Sequence, residues 1–216
     1  MFFQITAIIL LLIFYGCYFG KMISQKKKGI QTDQMGKGKT GIVRFIEITM
    51  KIATLSVPVV EVVSICLNTA HLSVWARYAG GAIAILGDLI FICSVLTMRD
   101  SWRAGISKTD KTKLVTSGIY QISRNPAFLG FDLVYLGVLL MFFNWILLAV
   151  SVFAALMFHL QIVNVEEDFL MVTFGDEYLD YRKKVHRYIG FSMLVPPSPQ
   201  DMSHTKTAPS GERKTE

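Results

Sequence analysis

Apolar residues fall in five blocks separated by polar segments rich in Lys and Arg. Residues 1–20 are almost continuously apolar, close to the ~20 residues a helix needs to cross a bilayer. Lysines follow this stretch rather than precede it, and no small-residue cleavage motif ends it, so a retained first span is expected rather than a signal peptide. Residues 21–44, which contain KKKGIQTDQMGKGKTG, show no hydrophobic periodicity and read as a flexible, solvated connection at the lipid headgroups. Residues 45–67 form a second span, with Pro58 marking a kink and Glu61 at a depth where an acid is costly. Residues 75–98 form a third, with small residues at Ala79, Gly80, Gly81, Ala82, Ala84 and Gly87 that permit close helix approach, and with Asp88. Residues 128–143 and 145–163 are two further spans, the first short for a full crossing. Their joint at Asn144 is so brief that they must fold as an antiparallel helical hairpin. A polar helix follows from 164, and the chain closes with a Pro/Ser/Thr-rich tail in 191–216 that is expected to be disordered.

Composition agrees with the pattern. Of 216 residues, 52% are hydrophobic and only 18% charged, with a mean hydropathy of +0.45. The expected fold class is all-α: a polytopic membrane protein of five transmembrane helices with a C-terminal helical hairpin. The expected organisation is three N-terminal spans with their basic loop in 1–98, then a functional region in 99–190 that contains the hairpin 127–163. The net charge of +6 does not signal nucleic acid, because the cations lie between apolar blocks. Seven of the 22 Lys and Arg fall in 21–44, six in 99–124 and seven in 182–214. Five spans with the N-terminus outside put all three segments on one side, which the positive-inside rule makes cytoplasmic. Cys17, Cys66 and Cys93 lie in apolar blocks without metal or disulfide spacing, and the four His are scattered, so no metal site is expected.

Chemistry is expected where charge presses on the hairpin. Ahead of it lies 114–130, LVTSGIYQISRNPAFLG, and behind it 165–182, VEEDFLMVTFGDEYLDYR. Gly118 lets backbone approach closely, Arg124 suits a carboxylate or phosphate held in two-point fashion, and Asn125–Pro126 reads as a helix cap and first turn. Glu167 falls with Val163, Leu170 and Phe174 on one helical stripe, so it faces inward, and Glu166 lies about 100° away. Tyr178 and Tyr181 read as anchors at the membrane interface. A cation clamp of Arg124, with Arg103, set against Glu166 or Glu167 and aromatic walls fits a zwitterionic amino-acid headgroup carrying a further positive centre. Plain interfacial anchoring by the same residues is the alternative reading.

Three segments go further: SWRAGI (101–106), 114–130, and EEDFLMVTFGDEYLDYRKKV (166–185). In order and spacing they resemble the isoprenylcysteine carboxyl methyltransferase and phospholipid methyltransferase superfamily. The resemblance covers about 101–188; the first three spans are similar only in being spans. It implies an integral membrane methyltransferase that uses S-adenosylmethionine without a dinucleotide-binding fold, and no GxGxxG follows a strand here. It also implies cofactor contacts from Leu114, Val115, Gly118, Tyr120, Asn125, Pro126, Phe128, Glu166 and Glu167 on the cytoplasmic face, with Arg124, Asn125 and Glu167 at the chemistry. The methyl acceptor would be lipophilic and enter between helices from the bilayer. Three departures stand out. Asn125 replaces the family His, Phe128 replaces a Tyr, and no Arg lies one turn before the Glu pair, where only His159, Gln161 and Asn164 are available. Arg103, Gln161 and Asn164 are therefore the candidates for substrate contact. The acceptor classes open at this point are an isoprenylcysteine-like lipid, a phospholipid amine, and a small lipophilic thiol or amine.

Two other readings compete. The hairpin and loop are also similar to the C-terminal part of sterol reductases, which have many more spans. A non-catalytic protein, either a small transporter or a member that has lost activity, would instead use the mid-span acids Glu61, Asp88 and Asp132 as a polar pathway. The acids discriminate: methyl transfer needs Arg124 and the Glu pair, and Glu167→Gln is expected to weaken cofactor binding with folding intact.

Overall fold

A computed structural model describes residues 1–106 and 113–190. The tail 191–216 and the loop residues 107–112, with Lys108 and Lys111, lie outside the described residues. The described chain is helical, without a strand: α1 (Phe2–Lys27), α2 (Gly41–Cys66), α3 (Val74–Met98), α4 (Pro126–Met141), α5 (Trp145–Gln161), α6 (Glu167–Phe174) and α7 (Asp176–Lys184). A π-turn, Ile162–Glu166, joins α5 to α6 so that one helix runs from Trp145 to Phe174. Four stretches are long and apolar enough to cross a membrane: Phe2–Lys27, Gly41–Cys66, Val74–Ser101 and Trp145–Phe174. With 16 residues, α4 is about 24 Å long against a hydrocarbon core of roughly 30 Å.

The short helix is held by the closest packing in the molecule. Gly80 and Gly87 of α3 meet Gly137 and Gly130 of the antiparallel α4. A Cβ at Gly80 would lie 2.5 Å from the Gly137 carbonyl oxygen, and one at Gly137 would lie 2.6 Å from that of Gly80. No side chain fits there, so the small residues of the third span do serve helix contact. Phe14, Phe91, Phe131 and Phe158 fill the centre, with Phe14 and Phe91 rings 4.6 Å apart. Large apolar side chains such as Leu12, Leu55, Leu96 and Leu156 stay exposed on the outside, as lipid contact requires.

The two ends of the bundle differ. At one end Asn144 caps α5 by accepting from Leu147 N–H (2.9 Å) and donates to Ser64 Oγ (2.8 Å), while Thr69 donates to the Phe142 carbonyl (2.9 Å). The α2–α3 connection therefore packs on the hairpin joint. The opposite end gathers the segments 28–40, 99–106 and 113–125 and the start of α6.

The structure corrects the reading of 21–44. There α1 continues to Lys27, with Lys26 and Lys27 in its last turn facing the negative end of the helix dipole. The following segment is pinned rather than solvated. Gln25 is buried and donates to the Trp102 carbonyl (3.0 Å); Thr32 donates to Gln25 Oε1 (2.7 Å). Gln34 and Ala104 pair by backbone hydrogen bonds of 2.8 Å and, through Thr32, 3.0 Å. Polar side chains turned inward give these residues partners that a hydropathy profile scores only as hydrophilic.

Candidate active site

At the charged end lies a cavity of about 190 Å³. The segment before α4 supplies Leu114, Val115, Tyr120, Arg124 and Asn125; α4 supplies Phe128 and Phe131; the α5–α6 junction supplies Phe158 and Glu166. Arg103 and Trp102 close another side. Among the described residues Glu166 is the one acid on the wall, facing the cations Arg103, Lys113 and Arg124.

Local structure explains how these groups arrive. Gly118 opens a 3-10 turn at φ +61°, and a Cβ there would sit 3.2 Å from Thr97, so its role is backbone shape and it is not on the wall. The turn lowers Tyr120 into the core, where its hydroxyl bonds Ser94 Oγ at 2.8 Å and its carbonyl accepts from Tyr181 at 2.6 Å. Pro126 occupies the first turn of α4. Asn125 holds the cap position without capping: its Nδ2 donates to the Arg187 carbonyl at 3.0 Å, and its side chain borders the cavity.

The two glutamates part company. The π-turn inserts a residue into the helical phase just before them, and such turns recur at functional sites. Glu166 reaches the cavity. Glu167, 6% exposed, lies behind the wall and carries two guanidinium groups: Arg187 binds it through Nε (2.7 Å) and Nη2 (3.0 Å), and Arg124 through Nη2 at 3.1 Å. The same Arg124 donates through Nη1 to the Tyr178 hydroxyl at 2.7 Å. Glu167 is thus engaged in an internal ion pair rather than presented to a ligand. The stripe argument correctly turned it inward but could not show what it meets there.

Tyr178 and Tyr181 are corrected likewise. Both are buried beneath the loop before α4, not anchored at the lipid interface. Burial raises the phenols of Tyr120, Tyr178 and Tyr181 above their ordinary range, so they serve as neutral hydrogen-bonding groups. The Glu167 carboxylate in turn raises Arg187. After α7 the chain doubles back over the same loop: Arg124 N–H donates to the His186 carbonyl (3.0 Å) and Gly190 N–H to that of Ile122 (3.2 Å). Residues 185–190 therefore strap Arg124 in place.

The remaining candidates divide. Arg103 borders the cavity, with its Nη1 donating to the Asp100 carbonyl at 2.6 Å. Gln161 is fully buried but turned toward Glu47, off the wall, and Asn164 is exposed and bonds back to the Leu160 carbonyl at 2.9 Å. Glu61, Asp88 and Asp132 are not on the wall.

Sequence reasoning missed part of the site. Tyr18 of α1, Met50 and Thr54 of α2, Met98 of α3, and Met35 supply one side of the cavity. Arg187 and the buried Lys39–Glu47 ion pair were also missed. The acid Glu47, close to the start of an apolar span, was the one available signal for that pair. Nothing around Arg187 distinguishes it from the other cations near the C-terminus.

A family model described as phospholipid methyltransferase matches residues 75–177. Among curated proteins, the chain is 29% identical over 113 residues to the protein-S-isoprenylcysteine O-methyltransferase of Xenopus laevis, covering 51% of this chain and 39% of that protein. It is 31% identical over 119 residues to a probable protein-S-isoprenylcysteine O-methyltransferase of Oryza sativa subsp. indica, covering 54% and 62%. The enzyme of that name from Saccharomyces cerevisiae is 33% identical over 109 residues, covering 49% and 45%. Over residues 75–177 the chain is similar to the superfamily of phospholipid and isoprenylcysteine methyltransferases. It spans from about two fifths to three fifths of the length of these relatives. The matched stretch runs from α3 to the start of α7, so it contains Arg124, Asn125, Glu166 and Glu167. It leaves out residues 1–74 and the strap at 185–190, which supply Tyr18, Met35, Met50 and Thr54 of the cavity wall, the Lys39–Glu47 pair and Arg187.

Proposed function

We propose that this protein is an integral membrane methyltransferase that takes its methyl group from S-adenosylmethionine and passes it to a lipophilic acceptor drawn from the bilayer. The observation that carries the reading is the cavity wall: one carboxylate, Glu166, and the guanidinium of Arg124 stand among aromatic and thioether side chains, on segments that the family model matches. Glu166 suits the ammonium and Arg124 the carboxylate of the donor's amino-acid end, while Phe128, Phe131 and Phe158 offer ring faces to a sulfonium. The donor supplies an electrophilic methyl group. The protein's part is to align the acceptor's lone pair with it and to exclude water. Leu114, Val115, Tyr120 and Asn125 complete the proposed donor site from the loop side. Gly118 and Pro126 shape the backbone beneath it, and Glu167 fixes Arg124.

The acceptor side is the half built by Met35, Met50, Met98 and Trp102, a flexible apolar surface suited to a lipid chain. The curated relatives are named for isoprenylcysteine and the family model for phospholipids. The absence of an Arg one turn before the Glu pair favours a phospholipid amine, or a small lipophilic thiol or amine, over an isoprenylcysteine carboxylate. Five crossings with the N-terminus outside are part of the proposal. They set the cavity and all three Lys/Arg-rich segments on the cytoplasmic side, and the charge-poor Asn144 end outside.

Calorimetry of S-adenosylmethionine with the detergent-purified protein tests the donor site. Micromolar binding is expected, weakened at least tenfold in Arg124→Lys, which keeps the charge but loses the planar fork. A folded wild-type protein that binds no S-adenosylmethionine overturns the reading.

A further inference from the structure

Glu166 does not stand alone on the cavity wall. Behind it, across the π-turn, the fully buried Gln161 amide interacts with its carboxylate, and the amide Nε2 donates to Glu47 Oε1 at 3.5 Å. Glu47, fully buried on α2, is ion-paired to the buried Lys39 ammonium; its other oxygen accepts from Gly36 N–H at 2.6 Å. The π-turn makes this possible. Residues five apart diverge by about 140° on an α-helix, whereas the wider π-turn brings positions 161 and 166 to one side. With its nitrogen directed to Glu47, Gln161 is left with an unpartnered buried Oε1. The reverse orientation would set that oxygen against the Glu47 carboxylate, so this arrangement is the better of the two.

Lys39 neutralises Glu47, and the cluster of two carboxylates and one ammonium is then completed by a cation arriving from the cavity. We propose that Lys39, Glu47 and Gln161 are positioning residues: they hold the Glu166 carboxylate toward the cavity to receive the ammonium group of the methyl donor. The inference rests on the methyltransferase reading of the cavity. It gives the 31–47 segment, which lies outside the family match, a part in donor binding. Without Lys39, Glu47 and Glu166 would be two like charges bridged by one amide, an arrangement that drives one of them to take up a proton.

The test compares two ligands on the full-length protein: S-adenosylhomocysteine, which carries the amino-acid end, and 5′-methylthioadenosine, which lacks it. The variants are Gln161→Met, and Lys39→Met combined with Glu47→Met, because an ion pair replaced whole by apolar residues leaves no orphaned charge. Each is expected to bind S-adenosylhomocysteine about tenfold or more weakly while keeping its affinity for 5′-methylthioadenosine. Added to Glu166→Gln, neither is expected to weaken binding further, since all act through one carboxylate. Gln161→Met carries the test by itself if the double variant does not fold. Unchanged affinities, equal losses for both ligands, or losses that add in full to Glu166→Gln overturn the proposal while the donor site stands. A wild-type protein that binds neither ligand removes both.

Discussion

The two ends of the helix bundle use polar side chains in opposite ways. At the Asn144 end the groups that tie the hairpin joint to the α2–α3 connection are neutral and short: an asparagine, a serine and a threonine. The cation beside them, Arg77, meets the neutral Asn68 and the Phe142 ring. At the cavity end the polar groups are charged, buried and linked across the chain, with Glu167 between Arg124 and Arg187 and Glu47 beside Lys39. Neutral caps settle backbone ends at little electrostatic cost. Buried charges repay their desolvation only when geometry is held tightly, and removal of one partner is severe. Chemistry that must grip a zwitterion is expected at the second kind of end, and there the cavity lies.

The largest effect expected from this contrast is on Glu167. Glu167→Gln strips the shared carboxylate from two guanidinium groups, one of them 7% exposed in its side chain. Loss of a buried partner costs roughly 3–5 kcal/mol. The thermal unfolding midpoint in detergent should fall, and amide exchange at residues 122–125 should rise as the 185–190 strap loosens. The stripe pattern alone predicts weaker binding with folding intact. The two-arginine clasp shifts the expected loss to stability, and an unfolding midpoint equal to wild type would show that the clasp contributes little.

Next in size is Glu166→Gln, at the same end of the molecule but on the cavity side. It keeps the shape of the side chain on the cavity wall while removing its charge. S-Adenosylmethionine affinity is expected to fall tenfold or more, about 1.4 kcal/mol or above, with the unfolding midpoint close to wild type. Neighbours in sequence would then separate cleanly, one carrying stability and one carrying binding. Equal binding losses in both variants would merge them into one site and break the distinction.

How far the sequence shows this arrangement depends on what each signal measures. Hydropathy and the Lys/Arg distribution locate the long apolar helices, because burial in lipid is averaged over some twenty residues. The motif around Arg124 and the Glu pair locates the cavity, because its loop, cap and helix start are contiguous in the chain. What escapes is long-range pairing among polar residues. Arg187 joins Glu167 across 20 positions, Gln161 joins Glu47 across 114, and Gln25 joins Trp102 across 77. No periodicity encodes such contacts. The π-turn escapes for another reason: it shifts the helical phase between Gln161 and Glu167, so a uniform 100° step carried across it loses the register between α5 and α6.

The smallest effect is expected at the opposite end. Asn144 accepts from Leu147 N–H and donates to Ser64 Oγ and, at 3.3 Å, to Thr69 Oγ1, so Asn144→Ala removes a helix cap and two cross-bundle hydrogen bonds. A lost cap costs about 1 kcal/mol. The Ser64 hydroxyl is not stranded, because it donates to the Val60 carbonyl at 2.7 Å. The unfolding midpoint should therefore drop by a few degrees, and S-adenosylmethionine affinity should stay within twofold of wild type. The cavity residues nearest in sequence, Phe131 and Phe158, lie 13 and 14 positions from Asn144, on the α4 and α5 arms of the hairpin. About 20 Å of helix thus separates the joint from the site. A large loss of affinity in this variant would mean that the hairpin moves as a rigid lever on the donor site, and that the two ends are not independent.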